Sequence, residues 1–437
     1  MAEKRVAIHT LGCKVNQYES ASLAGLFLER GYRLVGFDDE ADVYIINTCT
    51  VTHLGDRKSR QLIRRASRTN PAALIAVTGC YAQTSPGEIA KIPGVDLVIG
   101  TRDRARLVDL VETAVKGKGP LCAVGEHVAG EEFEEVRALP VQGRVRAFLK
   151  IQEGCDNFCT YCIIPYARGP MRSRRPERVL EEARELVRSG YKEIVLTGIR
   201  TGAYGRDLGE SLNLAGLMRD LAGVSGLLRL RLSSIEPVDI TDELIQTMAG
   251  LEVFCRHLHV PLQSGDDAVL KRMGRRYTAW EYYRLAEVLR ENLPGLGLTT
   301  DVMVGFPGET GENFANTCRF IEKVSFSRLH VFKFSPRRGT PAAGFGDQVE
   351  PPVKEERSRA LLELGEKLSA RFASLHIGLE LDVLAEQPFQ EGGGLYEGLT
   401  GNYLRVVFPG NDELKGKIVR VKAEKLRDGL LEGSIII

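Results

Sequence analysis

The middle of the chain repeats one pattern six times, in which a short apolar segment is followed by a longer amphipathic one. The apolar segments have the length and β-branched content of buried strands, and the amphipathic segments have the periodicity of helices. The predicted strands are 148–152, 193–199, 228–235, 257–263, 298–304 and 329–334. Alternating strands and helices form a parallel sheet, and six units are fewer than the eight of a complete β/α barrel. We therefore predict a partial (β/α)6 barrel with its functional residues just beyond the carboxyl ends of the strands.

Two further regions flank this barrel. The N-terminal region alternates strand-like and helix-like segments, which indicates an open parallel α/β sheet. Its predicted strands are 6–11, 43–48, 74–78 and 95–99, and its predicted helices are 19–30, 55–68 and 104–116. The C-terminal region has short segments of period two separated by Gly and Pro, which favours a small antiparallel β-barrel of the OB type. The predicted domains are 1–117, a linker over 118–144, the partial barrel over 145–374 and the small β-barrel over 375–437.

Composition argues against a polycationic protein, a membrane-spanning protein and a disulfide-stabilised protein. The 437 residues include 59 Lys or Arg against 58 Asp or Glu, a net charge of +1, so any contact with nucleic acid must come from local basic patches. No apolar signal region follows Lys4 and Arg5, and no run of about 18 apolar residues occurs, which predicts no membrane span and a cytoplasmic location. In a reducing compartment the nine cysteines are expected as metal ligands or buried thiols rather than disulfides.

The strongest chemical signal is the spacing C-x3-C-x2-C of Cys155, Cys159 and Cys162, directly after a predicted strand. A four-iron cluster needs four ligands, so three thiolates leave one iron open. An open iron can bind the amino and carboxylate groups of S-adenosylmethionine and pass an electron to its sulfonium. The alternative is a structural zinc site, which needs a fourth ligand. No Cys or His occurs in the next twenty residues, which disfavours zinc.

A second set of cysteines is dispersed along the N-terminal region. Cys13, Cys49 and Cys80 each follow a different predicted strand of the same α/β sheet. Because the carboxyl ends of parallel strands meet at one edge of an open sheet, the three thiols are expected to converge on one metal centre, again with one iron open. The other cysteines, Cys122, Cys255 and Cys318, are expected as buried or incidental thiols.

Together these features resemble the radical S-adenosylmethionine methylthiotransferase family, whose members combine an N-terminal cluster domain, a radical barrel and a C-terminal TRAM domain. The segments TLGCKVNQYES (10–20) and NTCTVTHLGDRKSRQ (47–61) look like the MtaB branch, which modifies N6-threonylcarbamoyladenosine next to the tRNA anticodon. The branch acting on isopentenyladenosine usually has Gln-Met-Asn, and the branch acting on a ribosomal protein usually has Pro-Lys-Asn, where Lys14, Val15 and Asn16 stand here.

The resemblance implies two [4Fe-4S] clusters and S-adenosylmethionine as cofactors. Cys155, Cys159 and Cys162 would hold the cluster that cleaves S-adenosylmethionine, and the resulting radical would take hydrogen from C2 of the adenine. Cys13, Cys49 and Cys80 would hold an auxiliary cluster carrying the sulfur that joins C2. The implied partners are tRNA containing threonylcarbamoyladenosine and a low-potential electron donor, flavodoxin or ferredoxin. The protein's own task is to position these groups and exclude side reactions.

Loops at the strand ends supply candidate contacts to S-adenosylmethionine. Gly198 and Gly202 lie in segments that end the second barrel strand, Glu236 lies in the segment that ends the third, and Gln263 ends the fourth. Many superfamily members carry Gly-Gly-Glu after the second strand, whereas this chain has Thr-Gly-Ile there. His257 and His259 alternate on the fourth strand, where a core or substrate-lining role is favoured over metal binding because no carboxylate or Cys accompanies them at ligand spacing.

Three basic groups predict a phosphate-binding rim, although each alone is compatible with a solvated face. They are Arg57, Lys58, Arg60, Arg64, Arg65 and Arg68; Arg168, Arg172, Arg174, Arg175 and Arg178; and Lys271, Arg272, Arg275 and Arg276. In the C-terminal region Tyr403 and Arg405 are expected on a strand that contacts RNA bases. Residues 376–437, however, carry 7 basic against 10 acidic side chains, which leaves a ribosomal protein substrate open. An iron–sulfur electron carrier or scaffold is the alternative of another class, although it would need neither the barrel nor the C-terminal domain.

Overall fold

The computed structural model describes residues 3–139, 143–209, 211–390 and 393–436. The chain divides into two compact units. The first contains 1–141, 150–174 and 335–343, and the second contains 142–149, 175–334 and 344–437. Within the described residues, no helix is both long enough and apolar enough to cross a membrane.

Strands and helices alternate over most of the chain. The strands are β1 (Arg5–Thr10), β2 (Arg33–Val35), β3 (Val43–Thr48), β4 (Leu74–Gly79), β5 (Leu97–Ile99), β6 (Leu121–Ala123), β7 (Arg146–Lys150), β8 (Gln152–Glu153), β9 (Arg172–Ser173), β10 (Glu193–Thr197), β11 (Arg229–Leu232), β12 (His257–His259), β13 (Gly297–Val304), β14 (Arg328–Lys333), β15 (Glu380–Pro388), β16 (Leu395–Thr400), β17 (Arg405–Pro409), β18 (Ile418–Arg427) and β19 (Leu430–Ile435). The helices are α1 (Lys14–Glu29), α2 (His53–Thr69), α3 (Cys80–Thr84), α4 (Pro86–Ala90), α5 (Leu107–Thr113), α6 (Ile164–Arg168), α7 (Pro176–Arg188), α8 (Leu214–Ala222), α9 (Asp242–Gly250), α10 (Asp267–Met273), α11 (Ala279–Asn292), α12 (Gly311–Val324) and α13 (Pro351–Ser374).

The first unit is built on a parallel sheet in the order β2-β1-β3-β4-β5-β6. Apolar clusters cover both faces of it, one around Tyr44, Ile75 and Ile63 and the other around Phe27 and Ile45. This is the predicted open α/β sheet. Two of its strands, β2 and β6, were not predicted, because each has only three residues and lies at an edge of the sheet. Strand β6 comes from the polar stretch that the sequence indicates as a linker.

The second unit contains the partial barrel and the C-terminal β-barrel. Strands β7, β10 and β11 form one three-stranded sheet and β12, β13 and β14 another, and isolated parallel bridges at Leu230–Phe254 and Ser234–His259 join them. The prediction of six barrel strands is confirmed, but β12 ends at His259 rather than at 263. Pro261 explains this early end, since proline has no N–H to donate to a neighbouring strand.

The C-terminal strands close into a barrel in the order β15-β16-β17-β19-β18, around a core that includes Val383, Tyr396 and Phe408. All neighbouring pairs are antiparallel except β17 and β19, which are parallel. Strand β17 begins at Arg405, so Tyr403 precedes it, and the Tyr403 ring stacks on His257 with 4.4 Å between ring centroids. The prediction that Tyr403 lies on this strand is therefore wrong, whereas Arg405 lies on it as predicted and RNA contact stays a prediction.

Candidate functional site

The three dispersed cysteines lie beyond the carboxyl ends of three neighbouring inner strands of the N-terminal sheet. Strands β1, β3 and β4 are parallel neighbours with Thr10 beside Asn47 and Thr48 beside Gly79. Cys49 and Cys80 follow β3 and β4 immediately, and Cys13 comes three residues after β1. The intervening Gly12 has a φ of +106°, and a Cβ there would lie 2.9 Å from the Cβ of Cys49. Only glycine therefore lets the loop after β1 approach Cys49 this closely.

Two buried polar side chains connect these thiols. The Asn16 amide donates to the carbonyls of Leu11 (2.7 Å) and Thr48 (3.0 Å), which ties the end of β3 to the loop after β1. The Asn16 Oδ1 atom lies 3.7 Å from Cys13 Sγ and accepts a hydrogen bond from Arg168 Nη2 at 2.6 Å. The Nε–H of the same guanidinium donates to Cys80 Sγ at 3.2 Å.

Burial shapes the chemistry of the thiols. It raises the pKa of Cys80 to about 12, with Arg168 acting in the opposite direction, and it also raises the pKa of Cys49. Coordination to a metal removes the thiol proton outright, so a bound metal would overcome this rise in pKa. A buried cation beside Cys80 would favour the thiolate that an iron–sulfur cluster requires.

Arg168 belongs to a buried network of charges that sequence reasoning missed. Its guanidinium donates to Glu153 Oε1 (2.8 Å) and to both carboxylate oxygens of Glu19, and Lys150 lies 2.9 Å from Glu19 and 2.6 Å from Glu153. Arg104 pairs with both carboxylates as well. Burial alone would raise the pKa of Glu19, but these three cations lower it to about 2. Arg104 also pairs with Glu134 at 2.9 Å, so three cations face three carboxylates behind the thiols.

The second cysteine set lies on the loop between β8 and α6. Gly154 begins this loop with a φ of +77°, and a Cβ there would overlap the carbonyl oxygen of Pro170. The Cys155 N–H donates to the Gly169 carbonyl (3.1 Å), and the Cys162 N–H donates to the Cys159 carbonyl (2.9 Å). These contacts close the loop into a tight turn. All nine cysteines of the chain are thiols rather than disulfides.

A short helix connects the two cysteine sets within the first unit. Helix α6 begins two residues after Cys162 and ends at Arg168, whose guanidinium contacts Cys80. It packs against α3, the helix that starts at Cys80. At 1.5 Å per residue, α6 is only about 8 Å long. Both sets of thiols therefore belong to one compact unit, although more than 70 residues separate Cys80 from Cys155.

A second buried arginine of the first unit contacts the residue that follows Cys49. Arg337 is 7% exposed, and its Nη2 donates to Thr50, the residue after Cys49, and to Asp56 at 2.6 Å. Its Nε and Nη1 are buried with no acceptor among the described residues. The buried N–H that Arg168 donates to Cys80 matches an iron–sulfur centre, since hydrogen bonds to sulfur tune such clusters.

The candidate cofactor residues in the second unit follow the carboxyl ends of β10 and β11 or lie beside β13. Gly202 packs on Ile235 and Asp239, so a Cβ there would collide with both side chains, and Gly198 is partly exposed. Glu236 is ion-paired with Arg275. Gln263 has a φ of +66° and exchanges backbone hydrogen bonds with β13. A role for these four residues in binding S-adenosylmethionine stays a prediction.

The basic groups differ in exposure. On α2, Arg57, Lys58, Arg64, Arg65 and Arg68 are exposed. In the second group, Arg168, Arg172 and Arg174 are buried and paired with carboxylates. The prediction that these three form part of a phosphate-binding rim is wrong. An arginine that compensates buried carboxylates and one that meets phosphate look alike in sequence.

Two family models and several relatives match this chain. Residues 5–100 match the model of Uncharacterized protein family UPF0004, and residues 149–321 match that of the Radical SAM superfamily. The chain is 49% identical to the threonylcarbamoyladenosine tRNA methylthiotransferase MtaB of Bacillus subtilis, over 99% of this chain and 96% of that protein. It is 38% identical to the tRNA-2-methylthio-N(6)-dimethylallyladenosine synthase of Moorella thermoacetica, over 100% and 99% of the two chains.

Solved structures show the same fold at low sequence identity. The radical S-adenosylmethionine methyltransferase TsrM of Kitasatospora setae, solved with cobalamin and a [4Fe-4S] cluster, superposes with a TM-score of 0.59. The match covers 78% of this chain and 77% of that one at 16% identity, and it therefore concerns the fold alone.

Proposed function

The chain belongs to the radical S-adenosylmethionine methylthiotransferase family, and on that premise we propose that it converts N6-threonylcarbamoyladenosine at position 37 of tRNA to its 2-methylthio form. The observation that carries the substrate is the 49% identity, over nearly the whole of both chains, to a relative named for that reaction. Family membership implies S-adenosylmethionine and a [4Fe-4S] cluster as cofactors.

We assign this cluster to Cys155, Cys159 and Cys162 and a second [4Fe-4S] cluster to Cys13, Cys49 and Cys80. The support for the second is chemical: three thiols follow adjacent strands, and the buried Nε–H of Arg168 donates to Cys80. When bound, the two clusters would supply the electron that cleaves S-adenosylmethionine into a hydrogen-abstracting radical and the sulfur that replaces hydrogen at C2 of the adenine.

The side chains of the first unit have three tasks in this reaction. Asn16 and Arg168 hold the loops of the dispersed thiols in fixed positions. Arg168 also provides positive charge to offset the thiolates. Helix α6 joins the loop of Cys155, Cys159 and Cys162 to Arg168, and thereby to the loops of the dispersed thiols. Rigid placement of both thiol sets limits side reactions of a radical by keeping its target within reach.

The proposal also assigns contacts to S-adenosylmethionine, a surface for tRNA and a source of electrons. Gly198, Gly202, Glu236 and Gln263 are our candidates for contacts to S-adenosylmethionine. The exposed basic face of α2 is the candidate surface for tRNA phosphates. A flavodoxin or ferredoxin would deliver the low-potential electron, and the enzyme would act in the cytoplasm.

Nucleoside analysis of tRNA from a strain lacking this gene tests the substrate. We expect the 2-methylthio form of threonylcarbamoyladenosine to disappear and threonylcarbamoyladenosine to accumulate, with recovery when the gene is returned. An unchanged profile would defeat the tRNA proposal. Loss of the methylthio form of isopentenyladenosine instead would move the enzyme to the other tRNA branch.

A further inference from the structure

Three polar side chains meet on neighbouring strands of the partial barrel. His259 lies on β12, Asp301 on β13 and His330 on β14, and Asp301 stands directly beside His330 in the strand register. The Nε2 atom of His259 lies 3.2 Å from Asp301 Oδ1, and the Nδ1 atom of His330 lies 3.4 Å from the same oxygen. The two imidazole rings stack with 5.2 Å between centroids. We call these three residues the polar trio.

The polar trio is fixed by a hydrogen bond at His259 and is accessible to solvent at His330 and Asp301. The Nδ1 atom of His259 lies 3.0 Å from the hydroxyl of Thr299, which fixes that ring from behind. His330 is 43% exposed at its side chain and Asp301 26%, so both can meet a ligand. A carboxylate accepts hydrogen bonds from N–H and O–H groups, and an imidazole N–H donates to oxygen.

An exposed aromatic ring continues the same face of the sheet. Side chains alternate between the two faces of a strand, so Met303 follows Asp301 and Phe332 follows His330 on the face of the trio. Met303 and Phe332 are also register partners. Phe332 is 44% exposed, whereas Leu329 and Val302 on the opposite face are buried. Exposed aromatic rings are the usual platforms on which proteins stack unpaired bases.

We propose that this face binds the modified nucleoside, with Phe332 stacking on the base and the polar trio recognising the polar substituent at N6. This inference rests on the proposed function. The threonylcarbamoyl substituent has ureido N–H groups and a hydroxyl that suit Asp301, and a carboxylate that suits an imidazole N–H of His330. A dimethylallyl substituent has only hydrocarbon at this place, so it would cover the trio without offering it hydrogen bonds.

The test compares the affinities of two RNAs for the wild-type enzyme and for two variants. Anticodon stem-loops with threonylcarbamoyladenosine or plain adenosine at position 37 are titrated against the anaerobically reconstituted enzyme and its His330→Phe and Asp301→Asn variants. We expect wild type to prefer the modified RNA. In each variant, affinity for the modified RNA should fall about tenfold, the effect of losing one hydrogen bond to a charged group. Affinity for plain RNA should stay unchanged, and a wild-type circular dichroism spectrum and iron content would show that the variants fold.

Lys333→Gln is the matched control. Lys333 lies on β14 like His330 but on the opposite face, where it pairs with Glu355 at 2.6 Å. This variant should keep the preference for modified RNA in full.

Three results would overturn the inference. One is a His330→Phe variant that keeps the wild-type preference, and another is an equal loss of affinity for both RNAs, which would indicate general RNA contact. The third is one metal ion per chain beyond the cluster iron that is lost in this variant, since the trio would then be a metal site. Failure of the proposed function looks different, because wild type itself would then neither prefer nor methylthiolate the modified RNA.

Discussion

The chain assembles its two sets of three thiols in different ways. Cys155, Cys159 and Cys162 lie within eight consecutive residues on one loop. Cys13, Cys49 and Cys80 come together only because β1, β3 and β4 are parallel neighbours. A local loop depends on a tight turn, whereas the dispersed set depends on a whole folded sheet and on Arg168 from a distant segment. The two sets should therefore respond separately to local changes and together to the loss of Arg168.

The largest effect is expected for Cys159→Ala. It removes one of three proposed ligands from the loop, so cleavage of S-adenosylmethionine and methylthiolation should both fall to background. The dispersed set should keep its cluster, which leaves about four of roughly eight irons per chain. Anaerobic assay of 5′-deoxyadenosine with iron analysis measures both. Retained cleavage would show that these thiols do not hold the catalytic cluster.

Cys49→Ala should separate the two activities. The loop set is intact in this variant, so cleavage of S-adenosylmethionine should continue while formation of the methylthio product stops. Iron should again fall to about four per chain. Cys122→Ala is the control, because Cys122 is an exposed thiol of the same unit outside both sets. Full product from the Cys49 variant would disprove the dispersed cluster.

Arg168→Met tests the coupling between the sets. It leaves Glu19, Glu153 and Asn16 without their shared donor, and we expect a loss of about 3 kcal/mol in the free energy of unfolding. Iron should decrease at the dispersed set first, because Cys80 loses its N–H donor. Denaturant unfolding and iron analysis check this. Arg30→Met, which removes exposed ion pairs with Asp109 and Glu112, should change stability little. Equal stability of the two variants would contradict a structural role for Arg168.

The smallest effect is expected for Glu19→Gln, in the dependence of the free energy of unfolding on acid pH. The cations around Glu19 lower its pKa from 4.5 in the unfolded chain to about 2. The ionised carboxylate therefore stabilises the fold above about pH 4.5, and this contribution is lost as pH falls towards 2. In cluster-free protein, the free energy of unfolding should decline less steeply between pH 6 and about pH 3 for Glu19→Gln than for wild type. Parallel curves would mean that Glu19 is not the group responsible.

Much of the fold was predictable because it repeats. The six barrel strands and the five C-terminal strands each had an apolar periodicity that the structure confirms. The short edge strands β2 and β6 were missed, since three residues are too few to show a period. The family was also predictable, and the comparisons confirm it. The domain limits and the ligand roles of the six cysteines stay predictions.

The pairing partners of the charged residues in the site could not be predicted from the sequence. Their place in a basic run predicts phosphate contacts for Arg168 and Arg174, but both are buried against carboxylates. Nothing near Arg168 in the chain indicates Glu19, which is 149 residues away. The trio of His259, Asp301 and His330 was also not anticipated as a group, since its members come from three strands.

Residue order alone was sufficient for features encoded locally, namely strand and helix periodicity, the spacing of the loop thiols and the placement of three more cysteines after strands. Folding decided which charges pair, which rings stay exposed and which side chains share a face. The physical reason is that hydrogen bonds and ion pairs act over about 3 Å in space regardless of separation along the chain. Their partners are therefore chosen by sheet order and register, here the order that places β4 beside β3 and β14 beside β13.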